Sequence, residues 1–537
     1  MLAVAACSAT SDTEGFGGSA AQGPGGPGGP GTGTGGLGFD AGIDGSGASG
    51  GGGDPVTCEQ AASAKTYIGC DFWPTVVANN VWSVFDYAVV VANAGLEPAE
   101  VNVTRGGTVV GTATIPPNEL STIYLPWVPE LKGPDADACG SATPLPGTVR
   151  VSDGAYHLVS TRPVTVYQFN ALEYAPQGGP PGKNWSSCPA EQCFIECFSY
   201  SNDASLLLPT TAMTGNYRIT GQKGWQTANI SGYFAVTGTQ DDTSVTVSIS
   251  STGAIQAGGG LPSAAANGQV TFSVNAGEVV QVLGTPQTDL SGSLVQATKP
   301  VQVIFGMPCA QSPEGVQACD HIEESVFPAE TLGKHYFVNV PTGPNGDAPG
   351  HVVRIYGNVD GTVLSYAGTP PPGAPPTINA GQVIDLSVVS QNFEIQGDHE
   401  FAVGMFQLGA ELVDPNAPIT GQRGDPAQSL ATAVEQYRLK YIFLAPSDYS
   451  VSFVDVVQPM EATVTIDGVD STTAPTPISS GFGIARIPLG PGNNGAHVLT
   501  ASAPVGIQVV GYGNYTSYQY PGGLNLDVIA PPPPPPQ

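Results

Sequence analysis

The sequence predicts an all-β protein in which about four β-sandwich-like modules follow a Gly/Pro-rich tether. Gly (72 residues) and Pro (50) are abundant among the 537 residues, and only 11% of the residues are charged. Such a composition favours short strands and tight turns over helices. A strand that begins near a proline recurs along the chain, and its spacing leaves room for six or seven short strands in each repeat.

We call this recurring strand the arm. Its copies lie at 161–170, 298–306, 398–406 and 502–509, and the third copy keeps the apolar alternation but lacks the proline. The equivalent core-facing positions, which are 137, 100 and 104 residues apart, are Val164, Val301, Phe401 and Val505. This period is long for one blade of a β-propeller, so sandwiches are the favoured interpretation and a propeller is the alternative.

Composition and the arms divide the chain into segments. The predicted segments are a remnant lipoprotein signal (1–7), a disordered tether (8–56), a first module with a Cys-rich loop (57–200), three further modules (201–330, 331–430, 431–528) and a solvated polyproline tail (529–537). At 537 residues the chain is too long for one hydrophobic core, which agrees with several modules.

Turn residues between apolar runs predict hairpins inside the modules. In the third module Val352–Ile355 is expected to pair with Thr362–Leu364 across Asp360-Gly361. The second module repeats the pattern across Asp241-Asp242. Aspartates in such turns could also bind calcium, although Asp and Asn commonly serve the turn itself.

The first residues predict where the protein is located. Val4-Ala5-Ala6-Cys7 fits a bacterial lipobox, in which the cysteine is lipidated and becomes the new N-terminus. Residues 8–56 hold almost no aliphatic side chains and are expected to form a flexible tether with a reach of about 40 Å. We therefore expect an outer-membrane lipoprotein of the bacterial cell envelope that faces outward, or a secreted protein.

The charge balance excludes some partners. The net charge is −29 and the isoelectric point is near 4.2. No basic stripe exists to neutralise phosphates, so nucleic acid is not an expected partner. Electrostatic docking on anionic lipid is excluded for the same reason, which leaves the lipid anchor as the expected membrane contact. The acidity itself is typical of solubility in an extracellular medium.

Apart from Cys7, eight cysteines are candidates for disulfides in an oxidising compartment: Cys58, Cys70, Cys139, Cys188, Cys193, Cys197, Cys309 and Cys319. The close pairs Cys58/Cys70 and Cys309/Cys319 are the expected local bridges. The spacing of Cys188, Cys193 and Cys197 resembles a zinc site, but no matching second knuckle accompanies it.

The densest polar cluster is Cys319-Asp320-His321-Ile322-Glu323-Glu324. A hydrolase could use His321 and Glu323, but neighbouring strand residues point to opposite faces and the pattern matches no zinc-protease motif. A disulfide-anchored loop whose polar side chains satisfy backbone groups is the favoured interpretation. We therefore predict no catalytic residues, no metal and no cofactor. Arg423-Gly424-Asp425 spells an integrin-type tripeptide and is interpreted as a loop.

Several motifs together resemble the IgGFc-binding protein N-terminal domain family over roughly 60–520. They lie at 68–73, 166–170, 202–209, 319–324, 424–426 and 434–437. The resemblance implies a secreted or surface-attached binding domain, and the tether and lipobox match the bacterial surface lipoproteins of that family.

We therefore expect a non-enzymatic surface protein that binds or adheres to an extracellular protein or glycan. The alternatives are a surface hydrolase with a site near His321 and Glu323, and a structural envelope protein. Nothing in the sequence marks a contact residue for antibody.

Overall fold

A computed structural model describes residues 54–93, 95–189, 196–490 and 495–534. Strands dominate it, and the α-helices are short: α1 (Cys58–Ala64), α2 (Pro129–Lys132) and α3 (Ala410–Val413). The predicted all-β class is therefore confirmed. The predicted lipobox and nearly all of the predicted tether lie outside the described residues.

The first module consists of two sheets that share one long strand. Its strands are β1 (Gly69–Phe72), β2 (Tyr87–Ala92), β3 (Ala99–Arg105), β4 (Thr108–Ile115), β5 (Leu120–Leu125), β6 (Val149–Val151), β7 (His157–Phe169) and β8 (Ala204–Leu207). The first half of β7 pairs with β3 and β1, and its second half pairs with β2 and β8. The outer sheet has the order β4-β3-β7-β1 and the inner sheet the order β5-β2-β7-β8.

The second module repeats this plan. Its strands are β9 (Asn216–Arg218), β10 (Tyr233–Gly238), β11 (Thr243–Ser248), β12 (Gln269–Val274), β13 (Val279–Leu283), β14 (Leu294–Ala297), β15 (Val301–Ala310) and β16 (Asp320–Ser325). The orders are β12-β11-β14-β9 and β13-β10-β15-β16. Thr298-Lys299-Pro300 divides the arm into β14 and β15, and β6 of the first module extends this inner sheet beside β13.

The third module follows the same plan although its arm has no proline. Its strands are β17 (His335–Val338), β18 (His351–Gly357), β19 (Thr362–Ala367), β20 (Thr377–Ile378), β21 (Val383–Val389), β22 (Phe393–Gly397), β23 (Phe401–Phe406) and β24 (Gln428–Leu430). The orders are β20-β19-β22-β17 and β21-β18-β23-β24.

The fourth module has an unbroken arm of 18 residues. Its strands are β25 (Arg438–Leu444), β26 (Val451–Pro459), β27 (Val464–Ile466), β28 (Val469–Asp470), β29 (Thr476–Ser479), β30 (Phe482–Leu489), β31 (Ala496–Gly513) and β32 (Thr516–Pro521). The outer order is β28-β27-β31-β25 and the inner order is β29-β30-β26-β31-β32.

Burial distinguishes the two kinds of sheet. In outer strand β3, Val101 and Val103 are buried while Glu100 and Asn102 are exposed, the alternation of a sheet with one wet face. Every residue of inner strands β2 and β16 is buried. These inner strands are therefore enclosed on both faces, whereas strands farther out in the inner sheets keep exposed residues, such as Asp385 of β21.

The predicted hairpins are wrong in their pairing. Strand β18 pairs with β21 and β23, while β19 pairs with β20 and β22, so the Asp360-Gly361 turn carries the chain from one sheet to the other. The corner is held by a second turn, because the Asp360 carboxylate accepts the Ala380 N–H at 3.0 Å. Turn chemistry was identified correctly, but it does not determine which strand is the neighbour.

The four modules form a closed ring around the last strand of each. These central strands are β8, β16, β24 and β32, and each lies against two others in the order β8-β16-β24-β32-β8. Each inner sheet is thus a blade with its central strand innermost, and the outer sheets extend from the blades. The two architectures considered from the sequence are combined here. Although β8 follows the predicted module boundary at residue 200, it belongs to the first inner sheet.

The ends of the described chain meet at the seam between the first and fourth modules. Thr66 and Asn525 form an antiparallel bridge, and the Leu526 N–H donates to the Lys65 carbonyl at 2.9 Å. The chain then continues to Glu330, whose carbonyl accepts the Ala530 N–H at 3.0 Å. Pro533 is buried and accepts from Gln296. Of the described tail prolines, Pro533 therefore packs against the ring, whereas Pro531, Pro532 and Pro534 are exposed as predicted.

A repeated tyrosine pins the arm in three modules. The hydroxyls of Tyr217, Tyr336 and Tyr441 donate to the carbonyls of the core-facing arm residues Val301, Phe401 and Val505. Each hydroxyl also accepts the backbone N–H three residues before its own tyrosine. One side chain thus satisfies a buried donor and a buried acceptor, and it fixes the start of each module to its own arm.

Replacing Tyr336 with Phe should lower the free energy of unfolding by about 1–3 kcal/mol, because it leaves the Gly333 N–H and the Phe401 carbonyl without a partner in the core. Denaturant unfolding of purified variants measures this change. Tyr366→Phe is the matched control, since the half-buried Tyr366 hydroxyl donates only to Pro375 near the surface. Equal effects of the two substitutions would contradict the pinning role.

Candidate functional site

One carboxylate lies where the four central strands meet. Asp203 Oδ1 accepts the N–H groups of Ala204 (2.9 Å) and Gln519 (3.4 Å). Its Oδ2 accepts those of Gln428 (2.9 Å) and Glu323 (3.1 Å). Each central strand therefore donates one backbone N–H to the same fully buried side chain.

The four donors occupy equivalent positions in the repeat. Ala204, Glu323, Gln428 and Gln519 lie opposite Phe169, Gly306, Phe406 and Val510 of their arms. Each of those arm residues comes five positions after the core-facing residue that defines its repeat. The ring thus directs four equivalent N–H groups toward its axis, and the first module supplies the acceptor.

Burial raises the pKa of the Asp203 carboxyl well above its ordinary value, while the N–H groups of Gln428, Ala204 and Glu323 act in the opposite direction. Burial also raises the pKa of Asp320 and of Glu324 well above their ordinary values. Carboxyl groups therefore accumulate around the axis at positions that water does not reach.

The proposed hydrolytic pair is part of this enclosed centre. The side chains of His321 and Glu323 have no exposed surface, and their nearest ring nitrogen and oxygen are 3.5 Å apart. Glu323 instead accepts from Ser205 at 3.0 Å and from Asn170 at 2.5 Å, and both residues belong to the first module. Glu323 thus joins the first and second modules, and neither side chain of the pair is exposed to a polymer in this arrangement.

The integrin-type tripeptide is not displayed either. Asp425 is buried, and its Oδ1 accepts the N–H groups of Ala318 (3.1 Å) and Ala410 (3.4 Å). Arg423 is bound to Asp414, with 3.2 Å between Nε and Oδ2. Asp425 therefore clamps a loop of the second module to a loop of the third.

Three disulfides are defined by the described residues: Cys58–Cys70, Cys188–Cys197 and Cys309–Cys319. Cys139 is disulfide-bonded as well, and Cys193 and Cys7 lie outside the described residues. The zinc interpretation is wrong for Cys188 and Cys197, because the two sulfurs are bonded to each other.

The aspartates considered for calcium serve turns. Asp241 accepts the Ala276 N–H at 3.2 Å, in the same way as Asp360 accepts that of Ala380. Asp467, which lies in the turn between β27 and β28, accepts the Val498 N–H at 2.8 Å and contacts His497. These contacts agree with the turn interpretation of the sequence.

The sequence alone did not identify Asp203 as a functional residue, although Asp203 lies in the motif at 202–209. The four arms contain a signal for the ring, because the arm residue opposite each N–H donor comes five positions after the core-facing residue in every repeat. The repeat pattern does not reveal the acceptor, because the Asp203 carboxylate occurs in the first module alone. The polar motifs named above meet at this centre, where their side chains connect the modules.

Comparison with known proteins identifies a family for the chain. A family model described as "IgGFc binding protein" matches residues 203–511, more than half of the chain. The chain belongs to the IgGFc-binding protein family. The match begins at Asp203 and takes in the second and third modules and most of the fourth. The resemblance predicted from the motifs is thus confirmed.

A relative in this family is the human IgGFc-binding protein, which is 29% identical over 147 residues. The alignment covers 25% of this chain and 2% of the human protein. The chain thus spans only a small part of that relative. No helix among the described residues has the length and apolarity needed to cross a membrane.

Asp425 should make the ring less stable as the pH rises through about 7. Burial raises the pKa of this carboxyl from 3.8 to about 7. A raised pKa means that the folded state holds the proton more tightly. The stabilisation is therefore complete below about pH 4 and is lost as the pH rises through about 7.

Asp425→Asn should remove this loss, because the amide resembles the protonated acid and can still accept from Ala318 and Ala410. The measurement is the difference in free energy of unfolding between the wild type and this variant at pH 5 and pH 8. Groups that do not interact with Asp425 cancel in this difference, whereas Asp320, whose pKa Asp425 raises, contributes together with it. The variant should gain relative to the wild type at pH 8. A difference that does not change with pH would refute the assignment.

Proposed function

We propose that this chain is a non-enzymatic surface protein that binds an extracellular protein and thereby mediates adhesion. The observation that carries the proposal is the enclosure of the reactive side chains: His321, Glu323 and Asp425 are buried in the ring, and Glu323 and Asp425 connect modules. Membership of a family named for binding supports the same conclusion. Any partner must therefore meet the outside of the ring.

We infer that the chain acts outside the cell. Its disulfides support an oxidising compartment. The Gly-rich segment before Asp54 would hold the ring away from a surface, and Cys7 would carry the lipid anchor. Expression with a complete signal sequence should place the wild type in the membrane fraction and release Cys7→Ala from it. Pelleting of both proteins would refute the anchor.

The binding function is tested with the purified chain on beads and with cell surfaces that have been treated in two ways. Protease treatment removes surface proteins, whereas mild periodate oxidises glycans and leaves polypeptide intact. We expect saturable binding that protease abolishes and periodate spares. The reverse pattern would identify a glycan partner. Absence of binding together with self-assembly in light scattering would support a structural envelope protein.

A further inference from the structure

Three loops meet at the end of the ring where the arms finish. They are 311–318 of the second module, 343–348 of the third module and 410–423, which leads from the third arm to its central strand. We call them the three-loop surface. The Gly409 N–H donates to the Ser312 carbonyl at 2.8 Å, which brings the first and last of these loops into direct contact.

The three-loop surface is braced from below. The buried Asp425 holds the backbone of Ala318 and of Ala410, as described above. The Asn345 side-chain amide contacts both Asp414 and Arg423. Its Nδ2 donates to the Asp414 carboxylate at 2.9 Å, and its Oδ1 accepts from the Arg423 guanidinium at 2.6 Å. The Tyr515 hydroxyl of the fourth module donates to the Ile419 carbonyl. Residues of three modules thus fix the shape of the long loop.

This braced loop displays two large apolar side chains. Ile419 is 70% exposed and Leu412 is 40% exposed, whereas their neighbours Val413 and Gln422 are buried. An exposed aliphatic residue gains free energy when a partner encloses it. Because the loop is already fixed, little conformational freedom is lost on binding.

The exposed acidic residues of the three loops outnumber the cations. Glu314, Asp347 and Glu411 are exposed on the three loops. The single cation of the three segments is Arg423, and it is already paired with Asp414. A partner that approaches Ile419 and Leu412 therefore meets uncompensated carboxylates, which favour lysine or arginine at the edge of its own site.

We propose that the three-loop surface is the docking site for the extracellular protein partner, and that this partner offers an apolar pocket with a basic rim. Leu412 and Ile419 enter the pocket, and the carboxylates of Glu314, Asp347 and Glu411 face the rim. The inference rests on the proposed binding function and adds the place and the chemistry of the contact.

The test uses a small mimic of that pocket. Per-6-amino-β-cyclodextrin has an apolar cavity with a rim of ammonium groups, and it is immobilised beside neutral β-cyclodextrin. The protein variants are Leu412→Ser with Ile419→Ser, and the matched control Val363→Ser with Val469→Ser. The control pair is 53% and 70% exposed on other parts of the ring.

We expect the wild type and the control pair to bind the aminated cyclodextrin equally and more tightly than the neutral one. The Leu412/Ile419 pair should bind about tenfold more weakly. Equal binding by all variants would show that general acidity is responsible and would overturn the docking site. Equal binding of the neutral and the aminated cyclodextrins would overturn the basic rim.

The same variants are then applied to protease-sensitive cell surfaces. Loss of binding by the Leu412/Ile419 pair but not by the control pair supports the docking site. Equal binding by both pairs refutes the docking site and leaves the binding function intact. Failure of the wild type itself to bind would refute the binding function, while the cyclodextrin measurement would still decide whether the surface accepts a basic-rimmed apolar pocket.

Discussion

The Asp203 carboxylate is the contact on which the rest of the ring depends. Backbone N–H groups buried away from water need an acceptor, and an unpaired one costs about 1–3 kcal/mol. Four equivalent strands that converge on an axis present four such groups, and in each sheet no further strand lies beyond the central strand to receive them. A single side chain with two acceptor oxygens satisfies all four. It also fixes the height at which each blade meets the axis.

The connections between modules extend outward from this point. Gln168 and Asn170 of the first arm bind Glu323 of the second module, and Tyr167 donates to carbonyls of the fourth module. The tyrosine pins then attach the start of three modules to their own arms. These contacts use the most polar residues of the motifs. The side chains that suggested a reactive site in the sequence therefore form structural contacts inside the molecule. The exposed loops are left to meet partners.

The sequence predicted the repeats but not their assembly. The prolines and the alternation of the arms were enough to count four modules, because local strand patterning does not depend on neighbours. The pairing of β18 and β19 was mistaken, since Asp360-Gly361 forms an equally good turn whether the next strand stays in the sheet or leaves it. The burial of Glu323 and Asp425 could not be predicted, because it arises from contacts between modules whose residues are 107 and 120 positions apart.

The four modules should unfold as one cooperative unit held together around Asp203. Asp203→Ala measures this most directly, with Asp470→Ala, an exposed residue on β28, as the matched control. Denaturant unfolding should be followed by intrinsic fluorescence and by hydrogen exchange at Ala204, Glu323, Gln428 and Gln519. We expect Asp203→Ala to lower the free energy of unfolding by about 4 kcal/mol or more, with faster exchange at all four amides together. A loss below about 1 kcal/mol, or faster exchange at Ala204 alone, would contradict it.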